Sequence, residues 1–222
     1  MRSYTFSDQA ALLRAQAGVV GLGGLGGTVV EVLARLGVGR LLLFDGDCFE
    51  ESNLNRQLLS SVAQLGRPKA AAALKRVAEV NPSVEAAARP LFITAENADE
   101  MLRGCDVVVD CLDNLPDRFV IEDACRRSGC PLVSAAVAGA SGHVTTIFPG
   151  DRGLRLIYGE PHDLPRKGAE ASLGTLPYAV VFLATLECAE AAKVILKKGG
   201  LLRDKLLVAD LHEMLIEVMR LR

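Results

Sequence analysis

A glycine-rich turn, three acids and two cations define the chemistry open to this chain. Gly21, Gly23 and Gly26 satisfy the spacing G-x-G-x-x-G, and Gly24 adds a fourth glycine. A short apolar run, Gly18 to Val20, precedes them, and a stretch with a helical apolar face, Thr28 to Leu36, follows. Strand, glycine turn and helix N-terminus together make a phosphate site. The glycines let backbone approach an anion closely, and the free N–H groups of the first helical turn point at it. Without that flanking context the same glycines would serve plain turns and close packing. Asp45 ends a second apolar run about 20 residues on, where an acid bonds ribose hydroxyls in dinucleotide-binding folds. Asp47 follows it; the alternative for both is a pair of loop acids facing water. On these residues alone a nicotinamide dehydrogenase explains the chain equally well.

The next stretch separates the two readings. Glu51 to Gln57 is dense in amides and holds Arg56, and Gly66-Arg67-Pro68-Lys69 puts a lysine in the first turn of a helix. A cation is disfavoured there, because that end of the helix dipole is already positive. A nearby anion that offsets the repulsion is therefore expected. Arg56 and Lys69 together would neutralise a triphosphate, which a dinucleotide does not need. A fourth apolar run ends in Asp110-Cys111-Leu112-Asp113-Asn114. Ligands of open sheets sit at the carboxyl ends of strands. Asp113 is thus placed to hold Mg²⁺ between phosphates, with Asn114 beside it as a further nucleotide-side candidate. The alternative is that Asp113 or Asn114 merely caps the next helix.

The elements that must position these residues alternate. Ser7 is a candidate N-cap for a helix over Asp8 to Arg14. Strands are expected at Gly18–Val20, Arg40–Asp45, Val84–Ala88, Asp106–Asp110, Leu132–Val137 and His143–Phe148, with helices after most of them. Gly37 and Gly129 end two of those helices, and Pro68 suits the first turn of another, running to about Glu79. The prediction is an α/β chain: a Rossmann-like, mostly parallel sheet with helices on both faces. A charged, glycine-rich crossover loop over 149–175, a long apolar helix over Pro177 to Lys198, and an antiparallel hairpin, Asp204–Asp210 with Met214–Met219, close the chain. One domain over 1–222 is expected, its nucleotide-binding part at about 17–148 and its C-terminal helix and hairpin at 176–222.

Composition narrows the partners. The chain has 222 residues, half of them apolar, and a net charge of -2, which argues against a general nucleic-acid or membrane electrostatic role. There is no Trp, so base-stacking platforms are not expected. Cysteines stand at 48, 105, 111, 125, 130 and 188. None forms C-x-x-C, so no structural zinc is expected, and the apolar setting of several suggests buried free thiols. The N-terminus lacks a signal pattern, and Glu187, Glu190 and Lys193 interrupt the most apolar segment, which speaks against a membrane span. A reducing cytoplasm fits these features. His143 and His212 read as structural, and His162 stands in the charged loop. Arg118 would either reach the site or pair with Asp117 or Glu122.

With these pieces assembled, the chain resembles the ThiF/MoeB/HesA family of ubiquitin-activating-like adenylyltransferases. The matching segments are GLGGLGG, LLLFDGD, EESNLNRQ, GRPKA and DCLDN, in the family's order and spacing. The resemblance implies that Gly23, Gly24 and Gly26 cradle phosphate and Asp45 binds ribose. It implies that Asn53, Arg56, Gln57 and Lys69 hold the triphosphate and Asp113 the metal. It further implies Mg²⁺-ATP as the nucleotide and a homodimer as the assembly. The activity implied is adenylation of the C-terminal glycine of a ubiquitin-like sulfur carrier protein ending in Gly-Gly, with release of pyrophosphate. Activation of a small-molecule or RNA-borne carboxylate, and a non-catalytic nucleotide-binding scaffold, are the alternatives. The chain departs from the family in three places. Only 20 residues precede Gly21, and Arg2 is a weak match for the family's N-terminal arginine. The paired C-x-x-C motifs are absent. Gly168 stands where many members carry a cysteine.

Overall fold

The structure is a computed structural model and describes residues 4–161 and 173–221. Arg2, His162 and Gly168 lie outside the described residues. The elements run α1 (Phe6–Arg14), β1 (Gln16–Val20), α2 (Gly24–Leu36), β2 (Arg40–Phe44), α3 (Lys69–Val80), β3 (Glu85–Arg89), α4 (Ala98–Met101), β4 (Val107–Asp110), α5 (Leu115–Ser128), β5 (Leu132–Ala138), β6 (Ser141–Ile147), α6 (Arg155–Tyr158), α7 (Pro177–Leu196), β7 (Lys205–Asp210) and β8 (Leu215–Arg220). Two short 3₁₀ turns, Glu51–Asn53 and Val62–Gln64, punctuate the loop after β2. The α1 cap is Thr5 rather than Ser7: the Thr5 side chain and Asp8 form a reciprocal capping box.

One eight-stranded sheet has the order β3-β2-β1-β4-β5-β6-β7-β8. The strands from β3 to β5 in that order pair in parallel, and β5 to β8 pair antiparallel. Adjacent residues on one strand feed opposite faces, the period-two signature of a sheet buried on both sides. Val19, Val107 and Val109 join a core with α1, α2, α3 and α7. Val20 and Val108 join a second core with α4, α5 and Leu154 at the start of α6. The order reverses between β1 and β4, and a crevice outside the strand ends at such a switch point is where open α/β sheets bind ligands.

The long apolar helix, α7, is covered within one chain. It packs against α2 on one side and against β4, β5 and β6 on the other, burying Val180, Leu183, Ala184, Cys188, Ala191 and Val194. Its continuous hydrophobicity therefore needs no second subunit to explain it. Burying each Val or Leu side chain is worth about 1.5–3 kcal/mol relative to exposure. No helix among the described residues is long and apolar enough to cross a membrane.

Candidate active site

The loops leaving β1, β2, β4 and β5 enclose a cavity of about 350 Å³. Its wall brings together Gly21, Gly23, Gly24, Asp45, Asp47, Arg56, Gln57, Lys69, Asp113 and Asn114. A larger groove, about 680 Å³, lies among Arg14, Lys193 and Lys197 and holds none of the sequence candidates.

The glycine turn is shorter than the sequence pattern suggests, because α2 begins at Gly24 rather than near Thr28. Gly21 sits at φ +85°, a left-handed conformation that favours glycine, with the Cys111 carbonyl 2.8 Å from where a Cβ would lie. A Cβ on Gly26 would fall 1.8 Å from the Gly21 carbonyl oxygen, so Gly26 holds the turn closed and stands behind the cavity wall. The N-cap of α2 is Gly23, with no side-chain cap and no acid in the first turn. The first-turn N–H groups have no partner within the helix, which is the requirement for receiving an anion.

Asp45 clips this turn to the loop after β2. Its Oδ2 accepts the Leu22 N–H at 2.6 Å and its Oδ1 the Asp47 N–H at 2.7 Å. Burial pushes its carboxyl above the ordinary range, and the two N–H bonds act in the opposite sense. Asp45 lines the cavity, and each carboxylate oxygen has capacity for a further donor such as a hydroxyl. Asp47 meets Lys69, whose Nζ lies 3.1 Å from Asp47 Oδ2. The anion expected beside this helix-initial lysine is thus supplied by the chain itself. Lys69 is the first residue of α3, after Pro68 as N-cap.

Arg56 donates from Nη1 to the Ser52 carbonyl at 3.0 Å and to Asn55 Oδ1 at 2.9 Å. Gln57 is buried, and its Oε1 has no hydrogen-bond partner among the described residues. Asn53 stands off the cavity: it is buried and its Oδ1 accepts the Glu50 N–H at 3.1 Å, so it staples the 3₁₀ turn. Asn55 takes the amide position on the wall instead.

At the end of β4 the capping role falls to Asn114. Its Oδ1 accepts the Asp117 N–H at 3.0 Å and its Nδ2 donates to Asp117 Oδ2 at 2.8 Å. Asp113 is exposed and makes no hydrogen bond or ion pair among the described residues. Among those residues no three carboxylate, histidine or cysteine groups converge on one point. A single free carboxylate suits Mg²⁺, which keeps waters and arrives with phosphate oxygens. The orphaned Gln57 Oε1 and the uncapped α2 N-terminus fit a bound nucleotide; Gly24, where a Cβ would meet Val180 Cγ1 at 2.8 Å, lets α2 pack closely on α7.

Arg118 reaches the cavity wall, and a buried cluster that the sequence does not show holds it there. Arg118 pairs with Asp110, 3.3 Å away, and not with Asp117 or Glu122. Ser134 Oγ donates to Asp110 at 2.7 Å. The one sequence signal was positional: Arg118, like Lys69, is a cation in the first turn of a helix, where it needs an anion. Next to the main cavity lies a second one of about 390 Å³, sharing Asp113, Arg118, Ala136 and Val137. His143 lines it, 2.8 Å from Tyr158 Oη. Burial, and then the Arg118 charge, push His143 down to about 4.

These features define a nucleotide-binding, Rossmann-like α/β domain whose cavity presents helix-terminal amides, two cations and a free carboxylate. A profile of the ThiF family matches residues 1–222, and the chain belongs to that family. It is 36% identical over 217 residues to the SAMP-activating enzyme E1 of Haloferax volcanii, covering 96% of this chain and 79% of that one. It is 40% identical over 217 residues to the sulfur carrier protein adenylyltransferase of Thermus thermophilus, with 92% and 78% covered. It is 39% identical over 195 residues to the mouse adenylyltransferase and sulfurtransferase MOCS3, spanning 42% of that protein. The chain is an enzyme of this adenylyltransferase class. In fold it matches PaaA, with TM-score 0.81, 19% identity and coverage of 97% and 67%. It also matches E. coli MccB solved with ATP, with TM-score 0.79, 23% identity and coverage of 96% and 66%.

Proposed function

We propose that this protein uses Mg²⁺-ATP to adenylate the C-terminal glycine of a ubiquitin-like sulfur carrier protein ending in Gly-Gly. The observation that carries this reading is the convergence of Gly23, Gly24, Arg56, Lys69 and Asp113 on one cavity. The acceptor carboxylate is ionised at neutral pH and needs no general base. Its oxygen attacks the α-phosphorus of ATP; the new C–O–P linkage forms as the bond to pyrophosphate breaks. Catalysis is then positioning plus charge neutralisation. Lys69 and Arg56 meet the phosphate charge, the α2 amides seat it, and Asp45 and Asp47 orient the ribose side and the lysine. Gln57 and Asn114 complete the wall, and Asn53 supports it through its turn. Asp113 would hold Mg²⁺, which supplies further neutralisation between phosphates. The relatives named as carrier adenylyltransferases support this choice of acceptor.

A homodimer in the cytoplasm, with no nucleic-acid or membrane partner, completes the proposal. The free state of all six cysteines is in keeping with a reducing compartment. The deciding experiment measures pyrophosphate release from ATP with candidate carriers ending in Gly-Gly and with the same carriers lacking those glycines. Release only with the intact tails supports the reading. Equal release with both, or none with any, sinks it.

A further inference from the structure

Arg118 is far more heavily committed than a site-wall arginine needs to be. Its side chain is 4% exposed, and Asp110 beneath it is fully buried. Its Nη1 has two hydrogens and reaches three acceptors: the Ala135 carbonyl at 2.6 Å, and Asp110 Oδ2 and Ser134 Oγ, each at 3.3 Å, which share a hydrogen. Its Nη2 makes a short bond to the Leu112 carbonyl. Leu112 lies two residues past the end of β4, and Ala135 lies within β5, one residue beyond the pairing of Asp110 with Ser134. Leu112 immediately precedes Asp113, and Ala135 immediately precedes Ala136 and Val137, which line both cavities. Asp110 in turn accepts the Leu112 N–H at 3.1 Å, so residue 112 is held by both its donor and its acceptor.

We propose that Arg118 is a positioning residue: its guanidinium clasps the turn carrying Asp113 to the stretch of β5 that runs on past β4, at the wall of the nucleotide site. The clasp uses guanidinium geometry. A planar fork meets the two carbonyls from two separate nitrogens in fixed directions, whereas an ammonium has three donors on a single atom at the end of a flexible stem. Asp110 anchors the fork from below and Ser134 fixes Asp110. Asp113 itself has no partner among the described residues, so its place relative to the glycine turn depends on the backbone on either side. The catalytic consequence rests on the adenylation reading; the clasp itself does not.

The test uses Arg118→Lys, which keeps a cation against buried Asp110, and the double variant Asp110→Asn with Arg118→Met, which removes both charges. Removing one partner of a buried pair is strongly destabilising, whereas replacing both is often near neutral. Hydrogen exchange over residues 111–117, Mg²⁺-ATP affinity by calorimetry, thermal stability and pyrophosphate exchange are measured on the full chain. The clasp predicts that both variants fold, exchange amides faster over 111–117, bind Mg²⁺-ATP more weakly, and lose roughly 10²-fold in exchange rate, the cost of a misplacement of about 1 Å. A purely structural arginine predicts instead that the double variant, once folded, recovers local protection, affinity and rate together; that result overturns the proposal. Wild-type protein that neither binds ATP nor exchanges pyrophosphate would overturn the adenylation reading, and the amide exchange would still decide the clasp.

Discussion

Lys69 and Asp47, 22 residues apart, form an ion pair inside the candidate site in which the lysine is buried and the aspartate side chain is 55% exposed. The asymmetry has a consequence. Deleting Lys69 leaves behind a charge that water can solvate, so Lys69→Ala is expected to fold with little loss of stability. Asp113→Ala removes an exposed carboxylate that is unpaired among the described residues, and is expected to fold as well. Each variant should lose on the order of 10²–10³ in adenylation rate, the usual cost of removing one charge-stabilising group. Pyrophosphate exchange with a carrier, alongside circular dichroism, checks this. Near-normal exchange by both folded variants would remove Lys69 and Asp113 from the site.

Nucleotide choice follows from the same wall. Arg56, Lys69 and the uncapped α2 N-terminus supply positive charge in excess of what a dinucleotide's pyrophosphate requires. Calorimetric titration should show Mg²⁺-ATP binding and no NAD binding at comparable concentrations. Tight NAD binding without ATP binding would return the chain to the dehydrogenase class.

The parts of the site that were legible in the sequence are those written locally. The strand, glycine turn and helix that make the α2 anion site are consecutive, and Asp45 and Asp113 follow within three residues of strands that announce themselves as apolar runs. What depends on adjacency in space was not legible. The Asp110–Arg118–Ser134 cluster exists only because β4 and β5 are neighbours, with Asp110 registered opposite Ser134. Asn53 was assigned to the triphosphate from its motif, but the 3₁₀ turn at 51–53 rotates it inward and presents Asn55. The apolarity of α7 reads in the sequence only as burial, because the sequence cannot show that α2 and the sheet cover it from two sides.

The thiols set where the chemistry stops. Cys111 lines the cavity but is buried, and that burial pushes its thiol far up. Cys188 is buried in α7 and is pushed up for the same first cause. Thiolates, not thiols, are the nucleophiles. No covalent enzyme–carrier bond through Cys111 or Cys188 is therefore expected; sulfide or a separate sulfur-transfer protein would take the adenylate onward. Non-reducing electrophoresis and mass spectrometry after incubation with ATP and carrier check this. A reducible adduct mapping to either cysteine would refute it.

Glu187 gives the fold a pH dependence of predictable sign. It is fully buried in α7, near Asp110, Arg118 and Cys111, and its Oε1 has no partner among the described residues. Burial, then the Asp110 charge, push its carboxyl well above the ordinary value of 4.5, while Arg118 opposes the shift. The folded state therefore keeps a proton that the unfolded state releases once pH exceeds about 4.5. Above that point the unfolded state binds fewer protons, and stability falls as pH rises until the folded group itself ionises. Glu187→Gln keeps the shape and abolishes the titration. The variant should match the wild type near pH 4 and exceed it progressively toward pH 8, the gap widening by up to about 1.4 kcal/mol per pH unit. Thermal melts of both proteins across that range measure the gap, and parallel curves would show that Glu187 is ionised in the folded protein.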